Sequence, residues 1–193
     1  MSKDTMRKSM LLSLDKIGRF ERQRVEKDMH ATLFDSILWQ EAECIGLTVS
    51  GEGEWDTRAI MEKAWSEGKR VCVPKSIHNE RALHFYELTS FDQLEKGYFG
   101  IEEPQTDKTV RCEKEAIDLL IVPGLVFLAS GYRIGYGGGF FDRFLKDFTK
   151  PTVSLLHSNQ IVESFPIETH DVPVDFLLTE EGIQKAGLDK ETL

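Results

Sequence analysis

Between Lys3 and Asp15 the apolar residues Met6, Met10, Leu11 and Leu14 recur at intervals of three and four, the spacing of one helix face, and predict an amphipathic helix. Gly18 interrupts the pattern. Val25, Met29, Leu33 and Ile37 then repeat every four residues through a charged background and predict a second, longer helix with a core-facing stripe. From Cys44 to Val49 the chain is apolar and rich in strand formers, and it stops at the polar turn Ser50-Gly51-Glu52-Gly53-Glu54, so it reads as a buried strand leading into a loop. Thr57 stands where a cap is needed for a helix whose apolar positions Ile60, Met61, Ala64 and Trp65 end before Gly68. Arg70 to Val73 predicts another strand, stopped by Pro74. Strand, helix and strand in this length make a βαβ unit with parallel strands.

Farther along, Leu83 to Leu88 alternates weakly, and Ala116 to Val122 is a nearly continuous apolar run ending at Pro123-Gly124, which marks a central strand. Phe141, Phe144, Leu145 and Phe148 predict a helix over 140–148. Thr152 to Leu156 and Asp175 to Leu178 predict two more short strands. The succession predicts the α/β class: a single three-layer domain over residues 1–193, its central, mostly parallel sheet flanked by helices, with a helical N-terminus. The sequence contains no internal repeat, low-complexity segment or linker.

Composition narrows the partners. A chain of 193 residues with 40% hydrophobic content is long enough for one sizeable core. Its net charge of −9 opposes a protein that coats nucleic acid, which needs surplus Lys and Arg to displace phosphate counterions. The basic residues crowd the first two helices, as a solvated face from which one or two point at a ligand. Met1 to Lys16 carries no continuous apolar stretch of the kind a signal peptide or membrane span needs, and a cytoplasmic location is expected. Cys44, Cys72 and Cys112 are widely spaced with no CxxC, and read as free thiols.

The chemistry concentrates in Gly131-Tyr132-Arg133-Ile134-Gly135-Tyr136-Gly137-Gly138-Gly139-Phe140-Phe141-Asp142-Arg143. Five glycines in nine residues, between a strand region and a helix, let backbone N–H groups approach a polyphosphate. Arg133 is placed to add a charge-assisted hydrogen bond to a phosphate oxygen. Asp142 either favours the helix dipole or holds Mg²⁺ beside the phosphates. The segment lacks the GK[ST] of a P-loop, and Phe140 stands where GxGxxG needs its last glycine. His157 and His170 read as ordinary polar residues. From the residues alone, a kinase or redox enzyme using the same loop, or a non-catalytic interaction loop, remain alternatives.

From Pro123-Gly124-Leu125-Val126-Phe127 through Leu145 the chain resembles the signature of 5-formyltetrahydrofolate cyclo-ligases, also called methenyltetrahydrofolate synthetases. The likeness extends to Lys3 and Arg7, Ser50 and Glu54, Val73-Pro74-Lys75, Gly100-Ile101-Glu102-Glu103-Pro104 and His170-Asp171-Val172-Pro173-Val174-Asp175. The resemblance implies a ligase of folate and one-carbon metabolism. It would convert 5-formyltetrahydrofolate and MgATP into 5,10-methenyltetrahydrofolate, ADP and phosphate. The sequence leaves the oligomeric state open, with a monomer favoured, and no nucleic-acid or membrane partner is expected. The resemblance implies ATP contacts from Lys3, Arg7, Arg133, Ile134, Gly135, Tyr136, Gly137, Gly138, Gly139, Phe140 and Phe141, with Arg133 and Tyr136 catalytic. Val49, Glu54, Tyr136, Gly137, Gly138, Gly139 and Phe140 would line the folate site, and Asp142 and Asp175 would hold Mg²⁺. Two positions depart from the family pattern. Phe140 and Phe141 replace a frequent tyrosine pair, keeping ring stacking without a hydroxyl, and Leu128 replaces a common aspartate, which removes any catalytic duty there.

Overall fold

Ser2 begins the first helix: its hydroxyl accepts the N–H of Thr5, meeting one of the donors a helix start leaves unpaired. In the computed structural model, which describes residues 1–97 and 100–187, α1 then spans Lys3–Asp15 and buries Met10 and Leu14. The second helix, α2 (Arg19–Asp35), buries Val25, Met29 and Leu33 as the four-residue spacing predicts. It does not extend to Ile37. The Ser36 hydroxyl donates to the Leu33 carbonyl and accepts the Trp39 N–H, ending α2 and capping a new short helix, α3 (Ile37–Glu41). Ile37 is left exposed, and Trp39 takes the core position in its place.

The predicted βαβ unit is present as β1 (Cys44–Gly46), α4 (Arg58–Ser66) and β2 (Arg70–Ile77), with β1 and β2 parallel and Gly46 opposite Cys72. Contrary to the sequence reading, Pro74 does not stop β2. The parallel partner β1 ends opposite Cys72, so the ring lies beyond the ladder on that side, where a missing N–H breaks no bond. Thr57 precedes α4 without capping it, because its hydroxyl donates to the Thr48 carbonyl instead.

After β2 come β3 (Ala82–Glu87), the hairpin β4 (Leu94–Lys96) and β5 (Glu102–Pro104), and β6 (Val110–Cys112). The predicted central strand is β7 (Leu119–Ile121), shortened because the Asp118 carboxylate accepts the N–H groups of Glu43 and Cys44. A second small hairpin, β8 (Val126–Phe127) and β9 (Arg133–Ile134), leads through the glycines to α5 (Phe140–Leu145), and β10 (Thr152–Leu155), β11 (Phe176–Thr179) and β12 (Gly182–Lys185) follow. Eight strands form one sheet in the order β12-β11-β10-β7-β1-β2-β3-β6. The five from β11 to β2 are mutually parallel, and β12, β3 and β6 add antiparallel edges.

Strand residues alternate between two apolar layers. Ile45, Val71, Leu119, Ile121 and Leu178 pack with α1, α2 and α4, whereas Cys44, Cys72, Leu120 and Leu177 pack with Phe144 and Leu145 of α5. This is the predicted three-layer α/β arrangement. Among the described residues no helix is long and apolar enough to cross a membrane. The connection leaving β1 runs to β2 on one side, whereas the connection leaving β7, its other neighbour, runs to β10 on the opposite side. Such a switch point opens a crevice at the carboxyl ends of the two strands.

The cysteines differ from the sequence reading. Cys72 and Cys112, 40 residues apart, are joined as a disulfide, because pairing of β6 with β3 brings Cys112 to β2. Only Cys44 is free, with its sulfur 3.5 Å from that of Cys72, and burial pushes its thiol pKa up to about 11. The denatured, unreduced protein is therefore expected to titrate one thiol, and the reduced protein three. Three thiols without reduction would show that the pair is not bonded. Closing a loop of that length stabilises a fold by up to ~4 kcal/mol in the chain-entropy account.

Candidate functional site

The turn between β8 and β9 sets the geometry. Gly131, at φ +88°, donates to the Leu128 carbonyl, while its own carbonyl accepts the Val174 N–H. Leu128 is buried in the core. The chain that returns carries Arg133, 5% exposed, whose guanidinium donates to the Val172 carbonyl at 2.6 Å and to Asp142 Oδ1 at 3.3 Å. The same Oδ1 accepts the Val172 N–H at 3.1 Å. Arg133, Asp142 and Val172 thus close a ring that ties the glycine loop, the start of α5 and the segment before β11 together. Burial lowers the Arg133 pKa, and the charges of Asp142 and Asp171 oppose that shift, so the guanidinium stays charged.

Gly137 and Gly139 adopt φ of +108° and +64°, conformations that a side chain would strain, and Gly138 lies against the Phe140 ring so closely that a Cβ would sit 2.5 Å from it. The N–H groups of Gly137, Gly138 and Gly139 make no hydrogen bond among the described residues. All three residues line a cavity. α5 is only six residues long, so whatever anion affinity the segment has resides in these loop donors rather than in a helix dipole.

Those residues form one wall of a cavity of about 930 Å³, at the upper end of the range for ligand pockets. Thr48 and Val49, after β1, and Pro123, after β7, place it at the switch point of the sheet. Lys3 and Arg7, one turn apart on α1, both reach it. The Arg7 Nε–H donates to the Gly135 carbonyl at 2.7 Å, with Asp4 as ion partner, and Lys3 Nζ lies 2.9 Å from Asp171 Oδ2. Glu54, also on the cavity wall, takes the Gly51 N–H at 2.6 Å, and its carboxylate lies near the Tyr136 phenol. Tyr136 is 54% exposed as a residue, yet the crowding of atoms around its phenol, then the charge of Glu54, raise its pKa against the pull of Arg22, so the phenol keeps its proton. Phe140 stands edge-on to His78 at 5.4 Å. Val49 and Ile134 reach the wall but are 4% and 1% exposed, which makes them floor rather than contact surface.

Asp175 is not brought to this cavity. It stands at the start of β11, away from the carboxyl ends of the strands, and its Oδ2 accepts both the N–H and the hydroxyl of Thr152, which in turn accepts the Asp175 N–H. That reciprocal pairing corrects the expectation that Asp175 joins Asp142 on a metal. The carboxylate that does share the cavity with Asp142 is Asp171, part of the quoted closing motif but given no role from the sequence. Burial acts against its ionisation, yet the Glu168 N–H, Lys3 and the His170 charge together bring its pKa below the ordinary carboxylate value. Its pairing with Lys3 therefore persists as pH falls past the range where a free carboxylate protonates. Among the described residues, Oδ2 of Asp142 has no hydrogen-bond partner, and eight carboxylates against Lys3, Arg7 and Arg133 line the cavity. A polyanion enters such a wall only with cations, and a carboxylate oxygen open to the cavity is the donor type that Mg²⁺ takes.

One more group was missed in the sequence, where Arg22 was only one of many basic residues. From α2 it donates to the carbonyls of Gly53 and Glu54 at 2.8 and 2.6 Å and stacks over the Trp55 ring at 4.4 Å. Below the loop, Trp55 donates to Gln160, and Gln160 to the Leu125 carbonyl. Glu54 is thereby held from both sides.

Comparison with known proteins gives a consistent result. A family model described as the 5-formyltetrahydrofolate cyclo-ligase family matches residues 1–180. The chain is 34% identical over 144 residues to the 5-formyltetrahydrofolate cyclo-ligase of Escherichia coli strain K12, covering 72% of this chain and 78% of that protein. It is 30% identical over 156 residues to the Mus musculus 5-formyltetrahydrofolate cyclo-ligase, covering 75% and 76%. Its fold superposes on the Aquifex aeolicus 5,10-methenyltetrahydrofolate synthetase with a TM-score of 0.84 and 28% identity, over 98% of this chain and 95% of the other.

Proposed function

This chain belongs to the 5-formyltetrahydrofolate cyclo-ligase family, and on that premise we propose that it closes 5-formyltetrahydrofolate to 5,10-methenyltetrahydrofolate at the expense of ATP, in the cytoplasm and as a single domain. The observation that carries the ATP dependence is that Gly137, Gly138 and Gly139, whose N–H groups make no hydrogen bond among the described residues, line the same cavity as Glu54 and Tyr136. A phosphate-holding wall and a polar wall suited to a pterin then lie within reach of each other.

A formamide carbonyl is a poor electrophile, so ring closure needs its oxygen turned into a leaving group. In the proposed reaction the formyl oxygen forms a bond to the γ-phosphorus while the bond from that phosphorus to the β-bridging oxygen breaks, releasing ADP. N10 then attacks the formyl carbon and loses its proton, and phosphate departs with the former formyl oxygen. The protein mainly orients the reactants and offsets charge. Lys3, Arg7 and the glycine N–H groups hold phosphate oxygens. Arg133, tied to Asp142 and Val172, keeps the loop in register and leaves its remaining donors for the nucleotide. Tyr136, protonated, and Glu54 hold the folate, and Phe140 and Phe141 supply rings. Asp142 would hold Mg²⁺ through Oδ2, and the ion would offset negative charge on the phosphates.

The test is the absorbance of the methenyl product, with protein, 5-formyltetrahydrofolate, ATP and Mg²⁺ each omitted in turn. A rise that needs all four supports the reading, and a rise without ATP or Mg²⁺ sinks it. Because Arg22 fixes the loop under Glu54, Arg22→Ala is expected to raise KM for 5-formyltetrahydrofolate about tenfold, near 1.4 kcal/mol, and to leave KM for ATP within twofold. Equal changes in both constants would mean that Arg22 supports the fold at large rather than the folate wall.

A further inference from the structure

Gln160 ends a short turn beyond β10, at the carboxyl end of that strand, and is 1% exposed. Its Oε1 accepts the Trp55 indole N–H and the His157 N–H, both at 2.8 Å, and its Nε2 donates to the Leu125 carbonyl at 2.9 Å. Only this orientation of the amide works, because turning it over would set its NH₂ against two donors and its oxygen against a carbonyl. The two partners outside its own turn belong to the two walls of the proposed site. Trp55 follows Glu54, in the loop whose carbonyls Arg22 grips. Leu125 leads into the hairpin β8–β9, and its own N–H donates to the Ile134 carbonyl at 2.9 Å, just ahead of Gly135, Tyr136 and Gly137.

A second, smaller cavity of about 40 Å³ lies against this amide, lined also by Glu54, Trp55, Leu125 and Tyr136. Close apolar packing therefore does not fix how far the two segments stand apart at that point, and the directional bonds of Gln160 do. We infer that Gln160 is a positioning residue for the ring closure: it sets the separation of the folate wall from the phosphate loop, and with it the approach of the formyl oxygen to the γ-phosphorus. The inference rests on the reaction proposed above and names the residue that aligns its two halves. Transfer needs the reacting atoms about 3–3.5 Å apart, and a misplacement of about 1 Å costs on the order of 10²-fold. Either substrate bound alone settles on its own wall without the other. Loss of the brace therefore falls on the chemical step and spares both affinities.

The experiment is single-turnover formation of the methenyl product, read by absorbance with 5-formyltetrahydrofolate and MgATP saturating, in the wild-type protein, Gln160→Met, Gln160→Glu, Trp55→Phe and Trp55→Phe combined with Gln160→Met. Calorimetric titration of each substrate alone and melting temperatures are recorded alongside. Gln160→Met, which keeps the length of the side chain and loses all three bonds, is expected to slow the step about thirtyfold, with each substrate alone bound within about threefold of wild type. Adding Trp55→Phe is expected to slow it by no more than about a further twofold, because the indole N–H acts through the amide. Gln160→Glu keeps the acceptor for Trp55 and His157 and, when ionised, has no donor for Leu125. A buried carboxyl takes up a proton readily and then donates, so the rate of this variant relative to wild type is expected to fall about tenfold between about pH 7 and about pH 9. Glu54, Tyr136, His157 and Glu180, which lie near the amide or its partners, titrate in both proteins, and the ratio removes them.

A rate within about threefold of wild type in Gln160→Met overturns the inference, and so does a ratio for Gln160→Glu that does not fall with pH. A loss of folate affinity that accounts for the whole effect overturns it too, by making Gln160 a support or contact of the folate alone. Losses that multiply in the double variant do the same. Equal losses of both affinities and of melting temperature, with the step unchanged in the folded fraction, would make Gln160 purely structural. Should Gln160→Met not fold, the pH ratio of Gln160→Glu decides. If wild-type protein forms no methenyl product, the proposed reaction itself is wrong and the inference falls with it.

Discussion

Replacing Asp142 by Asn is expected to lower kcat on the order of 10²-fold or more, about 2.7 kcal/mol of transition-state stabilisation, with little change in melting temperature. The asparagine Oδ1 occupies the same place and still accepts from Val172 N–H and Arg133, so the ring that fixes the glycine loop survives. What disappears is the negative charge at Oδ2. Alanine tests something else, because it would leave the Arg133 guanidinium, with a side chain 2% exposed, without its ring partner. Removing one member of a buried pair costs about 3 kcal/mol or more, so Asp142→Ala should lose stability as well as turnover. Steady-state assays across a Mg²⁺ series check the Asn variant. Turnover within threefold of wild type would remove Asp142 from the chemistry and leave it a purely structural partner of Arg133.

The largest expected effect on stability is that of Gly131→Ala. The residue sits at φ +88°, and an added Cβ would lie 2.3 Å from the Val174 carbonyl oxygen, a backbone atom that cannot turn aside, and 2.9 Å from Ala186. Left-handed strain of about 1–2 kcal/mol adds to overpacking of about 1–3 kcal/mol. The sum is a substantial share of a typical domain's 5–15 kcal/mol. For a chain of this length the melting temperature should fall by roughly 10 °C. Gly68 is the control. It has φ +74°, but nothing lies within 4 Å of its Cβ position, so Gly68→Ala should cost only the conformational part, about 1–2 kcal/mol. Thermal melts that rank the two variants equally would show that strain alone, and not the contact with Val174, governs Gly131.

What could be read in the sequence follows the distance over which each interaction acts. The unit β1–α4–β2, the central position of β7 and the glycine loop before α5 are written in runs of ten to twenty residues, and all three appear where periodicity places them. Ser36 ended a helix that Ile37 seemed to continue, because one hydroxyl satisfied both helix ends, a choice that hydrophobic spacing does not encode. Pro74 misled because its effect depends on where β1 stops. The three-residue edge strand β6 and the disulfide it delivers depend on pairing with β3, and local pattern says nothing about that partner. In the site, Lys3, Arg7, Glu54 and the loop from Arg133 to Asp142 line one cavity. Asp175 and Asp171 exchanged importance. Both belong to the same short motif, and only the reciprocal bonds between Asp175 and Thr152 separate a strand-anchoring aspartate from one at the cavity.

The placement of the first turn of α1 at the cavity also bears on how the protein is handled. Ser2, Lys3 and Asp4 line the cavity, and Met1 is 83% exposed next to them. A purification tag joined ahead of Met1 would place its linker beside the mouth of this cavity, where a run of acidic residues would compete for Lys3. Recombinant protein intended for kinetics is better tagged at the other end. The same proximity makes the amino terminus a good place for a dye: a fluorophore attached there would report whether the cavity is filled without any substitution in it.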